Sequence, residues 1–97
     1  MTANQLRAVS EFEEGLTVGA PVDVRWRNNG ASYRGTGTVA RIHGKSFRVR
    51  LAREVASTIG FGSYPAGYLV WAPRIDNLRE WSPAARVEPV GGYPAVE

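Results

Sequence analysis

Apolar and polar positions alternate at the start of the chain's second fifth. Val22, Val24 and Trp26 are interleaved with Asp23, Arg25 and Arg27, the period of a strand that buries one face. The same period returns where Phe47, Val49 and Leu51 alternate with Ser46, Arg48 and Arg50. Between these runs, Tyr33 to His43 reads as a further strand, in which Gly35 and Gly37 mark a bend, a bulge or a close backbone approach. Asn28-Asn29-Gly30 tolerates positive φ and predicts a turn before it, and Gly44-Lys45 predicts a short turn after it. Tyr68 to Ala72 is nearly continuous in apolar character and is closed by Pro73, which predicts a fourth strand covered on both faces. Arg86 to Val90 predicts a short closing strand.

The period changes outside this region. Leu6, Val9 and Phe12 recur at three-residue spacing, Thr2 and Gln5 fit a capping box, and Gly15 sits at a helix C-terminus. A short helix over residues 2 to 14 is therefore expected, with Glu11, Glu13 and Glu14 opposing its dipole. Ala52 to Gly67, which holds Gly60, Gly62 and Pro65, reads as a long connection from which Ile59, Phe61 and Tyr64 pack down. Ile75 to Trp81 reads as one helical or 3₁₀ turn. The chain divides into an N-terminal segment (residues 1–17), one all-β domain (18–90) and a flexible tail (91–97), since 97 residues leave room for one domain.

Five short strands, a long middle connection and a one-turn helix before the last strand describe a small, strongly bent antiparallel barrel. On Val22-Asp23-Val24-Arg25-Trp26, Tyr33-Arg34-Gly35-Thr36-Gly37-Thr38-Val39, Phe47-Arg48-Val49-Arg50-Leu51 and Arg86-Val87-Glu88-Pro89, the chain resembles the SH3-like barrel group, which includes Tudor-like and KOW-containing modules. The likeness spans roughly residues 18 to 90 and implies a five-stranded SH3-like barrel more than it implies a function.

Composition is ordinary for a globular chain, 43% hydrophobic and 22% charged, and the net charge is +3. The distribution of that charge is more informative than its total. Residues 21 to 53 carry Arg25, Arg27, Arg34, Arg41, Lys45, Arg48, Arg50 and Arg53 against Asp23 alone, a net +7. Residues 1 to 20 and 54 to 97 each carry a net −2. If Val22, Val24, Trp26, Phe47, Val49 and Leu51 face the core, Arg25, Arg27, Arg48 and Arg50 face out. Arginines two apart on a strand lie about 7 Å apart, similar to successive phosphates of a nucleic-acid strand.

Nucleic acid, DNA or RNA, or another polyanion is the expected partner. Arg25, Arg27, Arg48 and Arg50 would contact phosphates, Arg34, Arg41 and Lys45 would extend the patch, and Tyr33 would offer a stacking platform where its ring is exposed. The plainer alternative is that these arginines solvate a strand exterior and pair with the acidic ends folded back on them. A reading from another class is a protein-interaction or assembly module, homo-oligomeric, using Tyr68 to Ala72 and the loop Ile59 to Tyr64. A third is an aromatic cage for a methylated cation, drawn from Tyr33, Tyr64, Tyr68 and the three tryptophans.

Enzymatic chemistry finds little purchase. There is no cysteine and one histidine, His43, beside Gly44 in a turn, so neither a metal set nor a histidine-dependent triad is assembled, and no cofactor is expected. Gly35-Thr36-Gly37-Thr38-Val39-Ala40 fits a dinucleotide fingerprint in letters, but Gly44 interrupts the helix that such a motif requires. The plasmid-type dihydrofolate reductase is an enzyme of this architecture. Its pore strand Val-Gln-Ile-Tyr would correspond to Tyr68-Leu69-Val70-Trp71, which lacks the glutamine. With Glu11, Glu13 and Glu14 near the N-terminus and no apolar stretch there, no membrane partner and a cytoplasmic location are expected.

Overall fold

The computed structural model describes residues 2 to 93 except Thr58, Phe61, Leu78 and Pro83. A helix, α1 (Ala3–Glu14), precedes strands β1 (Pro21–Asn28), β2 (Ala31–Ile42), β3 (Ser46–Leu51), β4 (Val55–Ala56), β5 (Ser63–Tyr64), β6 (Leu69–Pro73) and β7 (Arg86–Glu88). The domain is all-β apart from α1. Five strands form one antiparallel sheet in the order β6-β3-β2-β1-β7, curled into a half-barrel, and β4 pairs with β5 as a separate two-stranded ribbon. That ribbon lies within the long connection, where no strand was expected.

The alternating residues do what their period requires. Val22, Val24, Phe47 and Val49 are fully buried, Leu51 and Trp26 nearly so, and Val39, Val70, Ala72 and Val87 complete the core on the same inner face. The turn between β1 and β2 spans two residues, Asn29 at φ 51° and Gly30 at φ 80°, the backbone of a hairpin whose twist matches its strands.

β2 runs for twelve residues because it serves two neighbours. Ala31 to Thr38 pair with β1, and Gly37 to Ile42 pair with β3, with a register shift between Val39 and Arg41. The strand bends where the two ladders overlap, and glycine is what permits it. A Cβ on Gly37 would meet the Arg50 carbonyl oxygen at 2.1 Å, and one on Gly35 would meet Val55 Cγ2 at 2.5 Å.

The capping box of α1 is formed. Thr2 Oγ1 accepts from the Gln5 N–H at 3.2 Å, and Gln5 Oε1 accepts from the Thr2 N–H at 2.7 Å. Gly15 closes the helix in the right-handed region at φ −85°, its N–H donating to the Glu11 carbonyl. Val9 is buried, and Phe12 and Leu16 pack against the core. Ile75 and Asp76 lie in one turn and Arg79 and Glu80 in another, with i→i+3 bonds from the Asn77 and Glu80 N–H groups to the Arg74 and Asn77 carbonyls. No helix among the described residues is long and apolar enough to cross a membrane.

Candidate functional site

The topology divides the arginines that the sequence groups together. β1 and β3 flank different halves of β2, so Arg25 and Arg27 stand opposite Arg34 and Ser32, whereas Arg48 and Arg50 stand opposite Arg41 and Thr38. Arg34 and Thr38 are about 13 Å apart along β2, and Ser32 and Arg41 about 30 Å. The outer face of the sheet therefore carries two separate basic zones rather than one stripe.

In the first zone three arginines are paired with two buried acids. Register places Arg34, Arg25 and Arg86 in one row across β2, β1 and β7, and Thr36, Asp23 and Glu88 in the next. Glu88, 3% exposed, holds Arg25 at 3.1 Å and Arg34 at 3.5 Å through Oε1 and Arg86 at 3.1 Å through Oε2. Asp23 pairs with Arg34 at 3.4 Å and accepts from the Thr36 hydroxyl at 2.7 Å and from the Gly91 N–H at 3.1 Å. Burial alone raises the Asp23 carboxyl, but the bonds from Thr36, Gly91 and Arg34 outweigh it and hold its pKa below the ordinary value. Arg25 and Arg34 are thus structural partners of buried acids. The acids that neutralise them come from β1 and β7, not from the glutamates of α1.

The second zone is not neutralised. Arg48 stands opposite Arg41 on one side and Trp71 of β6 on the other, and Arg50 stands between Thr38 and Leu69 in the next row. β2, β3 and β6 contain no acidic residue. Arg41, Arg50 and Lys45, the last in the β2–β3 turn, are exposed and Arg48 is half-buried, and none of the four joins an ion pair among the described residues. Arg27 is also exposed but lies at the far end, opposite Ser32.

Trp71 and Leu69, which the sequence reading assigned to an assembly surface and, for Trp71, to an aromatic cage, are not among the residues it placed with the arginines. Residues 68 to 72, expected to be covered on both faces, are covered on one. Val70 and Ala72 are buried, while Leu69 and Trp71 on the opposite face of this edge strand are 40% and 36% exposed; Tyr68, which precedes β6, is 44% exposed and packs edge-on against Tyr64. The alternation was hidden by the apolar character of both faces.

The chain matches no protein-family model, no curated protein and no solved structure.

Tyr33 does not supply the platform assigned to it. It is 7% exposed and stacks on Trp26, its partner across the hairpin, with centroids 5.3 Å apart and planes 10° apart. Tyr64 stands edge-on to both rings at 5.3 and 4.9 Å, Tyr68 edge-on to Tyr64 at 4.7 Å, and Asn28 Nδ2 donates to the Tyr64 hydroxyl at 2.7 Å. The cage candidates converge, but the faces of Trp26 and Tyr33 turn to one another, an arrangement that closes one end of the core. Ile59 is 59% exposed, and Phe61 lies outside the described residues. His43 is exposed, and among the described residues no three His, Cys, Asp or Glu side chains are grouped as a metal would need.

A second polar cluster ties α1 to the sheet. Glu13, 3% exposed, accepts from the Ile75 N–H at 2.8 Å. Burial pushes its pKa up, opposed by that bond and by the Arg74 charge, with the Asp76 charge adding to the rise. Gly91 to Tyr93, read from the sequence as the start of a tail, lie against the fold. Gly91 binds Asp23, and the Tyr93 ring meets Phe12 edge-on at 5.7 Å and takes the Arg86 guanidinium 5.9 Å from its centroid. Burial, with the Glu13 charge adding, pushes the Tyr93 hydroxyl up to about 12. Residues 94 to 97 lie outside the described residues.

Proposed function

We propose that this chain is a non-enzymatic, cytoplasmic module of the SH3-like barrel group that binds nucleic acid, or another polyanion, through the outer face of β3 and its neighbours. The order β6-β3-β2-β1-β7, with three consecutive strands paired in turn and the last strand returning beside the first, supports the barrel assignment. The observation that carries the binding reading is the acid-free row Arg41–Arg48–Trp71, with Arg50 and Lys45 beside it. Like charges directly opposite on a sheet repel, so a face that keeps Arg41 against Arg48 without a carboxylate is one that an anion relieves. Guanidinium groups suit phosphate because their N–H donors match its oxygens in pairs. Arg25 and Arg34, already held by Glu88 and Asp23, belong to the scaffold of this reading rather than to its contacts.

Fluorescence anisotropy at low salt, with single- and double-stranded DNA and RNA, tests the proposal. Binding that weakens steeply as salt rises and that drops in Arg48→Glu and Arg50→Glu supports it, with correct folding of the variants checked by circular dichroism. Absence of binding at about 50 μM protein, or binding indifferent to salt, overturns it.

A second reading, self-association through β6, is favoured by one observation: this edge strand exposes Leu69 and Trp71 on one face. Light scattering that returns the mass of one chain at high micromolar concentration excludes it.

A further inference from the structure

We infer that the polyanion is a single strand of nucleic acid, with a base stacked on Trp71 and the adjoining phosphates on Arg48, Arg41 and Arg50. This rests on the polyanion reading above and narrows it to one class of ligand. Phosphate contacts alone do not identify a single strand, since both a single strand and a duplex present a run of phosphates. Trp71 does. Its side chain shares the outer face with the arginines and stands directly opposite Arg48, a separation of about 5 Å between Cβ atoms. A large indole left 36% exposed at the edge of a basic face has a surface that neither charge nor hydrogen bonding satisfies. The face of an unpaired base does satisfy it, while the guanidinium beside it meets the phosphate.

In a duplex the base faces are covered by their stacked neighbours, so the ring would meet only backbone. Arg41, Arg48 and Trp71, with Arg50 and Leu69 in the next row, lie on the outer face of paired strands, a sheet surface along which an unpaired strand can lie. The second row extends the site along the strand direction. Arg50 and Leu69 lie about 7 Å from Arg48 and Trp71, so the next phosphate and the apolar edge of the next base meet a cation and an aliphatic side chain in the same left-to-right order. The Trp26–Tyr33 pair is not a competing platform, because the two rings cover each other's faces and both are buried.

The test compares a labelled single strand of about twelve nucleotides, as DNA and as RNA, with the duplex of the same sequence, at low salt, against the wild type, Trp71→Ala and Trp71→Phe. The expected result is single-strand binding about 10-fold tighter than duplex binding, a further loss of about 10-fold in Trp71→Ala for the single strand alone, and most of it restored in Trp71→Phe. The DNA and RNA arms show which sugar is preferred, and either one binding in this pattern supports the inference. A duplex that binds as tightly as the single strand, with Trp71→Ala weakening neither, overturns the single-strand inference and leaves the polyanion reading standing. Failure of every nucleic acid to bind overturns both. Trp71→Phe keeps the fold's aromatic volume on β6, so loss in the alanine variant with retention in phenylalanine separates stacking from damage to the strand.

Discussion

At the scale of single residues, backbone approach and buried charge set what the chain tolerates. Gly37 and Gly44 are both glycines near β3, yet they do different things. Gly37 lies where β2 crosses from one ladder to the other, with the Arg50 carbonyl at 2.1 Å from any added Cβ, whereas nothing lies within 4 Å of a Cβ on Gly44 and its φ is ordinary. Gly37→Ala is expected to lower stability by at least about 3 kcal/mol, and Gly44→Ala to change it by less than about 0.5 kcal/mol, in urea unfolding. Equal effects would show that the β2–β3 approach is not tight. Glu88 is the charge counterpart. It holds three arginines, and Glu88→Ala leaves Arg25, Arg34 and Arg86 in a row with Asp23 as their remaining acid, for an expected loss of about 3 kcal/mol by the same measurement. The two glycines inside β2 were legible in the sequence as a bend or a close approach, because glycine in a strand has few other reasons to be there. The role of Glu88 was not. In the sequence it is one of several scattered acids, and its burial arises only when β7 returns beside β1.

At the scale of elements, the helix and the strands differ in how far local pattern determines them. The hairpin strands could be placed to within about two residues from alternation alone, since one face must be apolar wherever the other meets water. Strand β6 defeated that logic because Leu69 and Trp71 are apolar on the exposed face too, and so the aromatic part of the candidate site stayed hidden. For α1, capping box and period showed where the helix runs but not what it rests on. Glu13, apparently misplaced at a C-terminus, is a buried latch onto the Ile75 N–H. This gives a pH prediction. In the fold Glu13 keeps its proton to higher pH than the ordinary 4.5, so the folded state binds more protons than the unfolded chain, and its contribution is present below about 4.5 and lost as pH rises through the raised pKa. Asp23 works in the opposite sense. Its pKa lies below the ordinary 3.8, so its contribution is present above 3.8 and lost as pH falls through the lowered value. Urea midpoints across about pH 3 to 8 should fall toward both ends. Glu13→Gln, whose amide oxygen still accepts from Ile75, should flatten the upper limb and leave the acid limb intact, and Asp23→Asn should do the reverse. Parallel profiles for wild type and Glu13→Gln would show that Glu13 is not buried as described.

At the scale of the whole molecule, the cations of the sheet divide into a zone that stabilises the fold and a zone that is left for a partner. The first, on β2, β1 and β7, matches Arg25, Arg34 and Arg86 to Asp23 and Glu88. The second, on β2, β3 and β6, has Arg41, Arg48, Arg50 and Lys45 and no acid on its strands. Substitutions in the two zones should therefore separate in their effects. Each phosphate contact on a single strand contributes about −0.7 to the slope of log K against log salt, so three to four contacts give a wild-type slope of about −2 to −3. Arg48→Ala and Arg50→Ala should each reduce that slope by about 0.7 while changing unfolding by less than about 0.5 kcal/mol, because neither side chain joins an ion pair among the described residues. Arg25→Ala should do the converse, lowering stability because Glu88 stays buried with less compensation, and leaving the salt slope unchanged. A slope that falls by the same amount for Arg25→Ala as for Arg48→Ala would mean that the paired zone also faces the ligand, and that the division of the sheet into two zones does not govern binding.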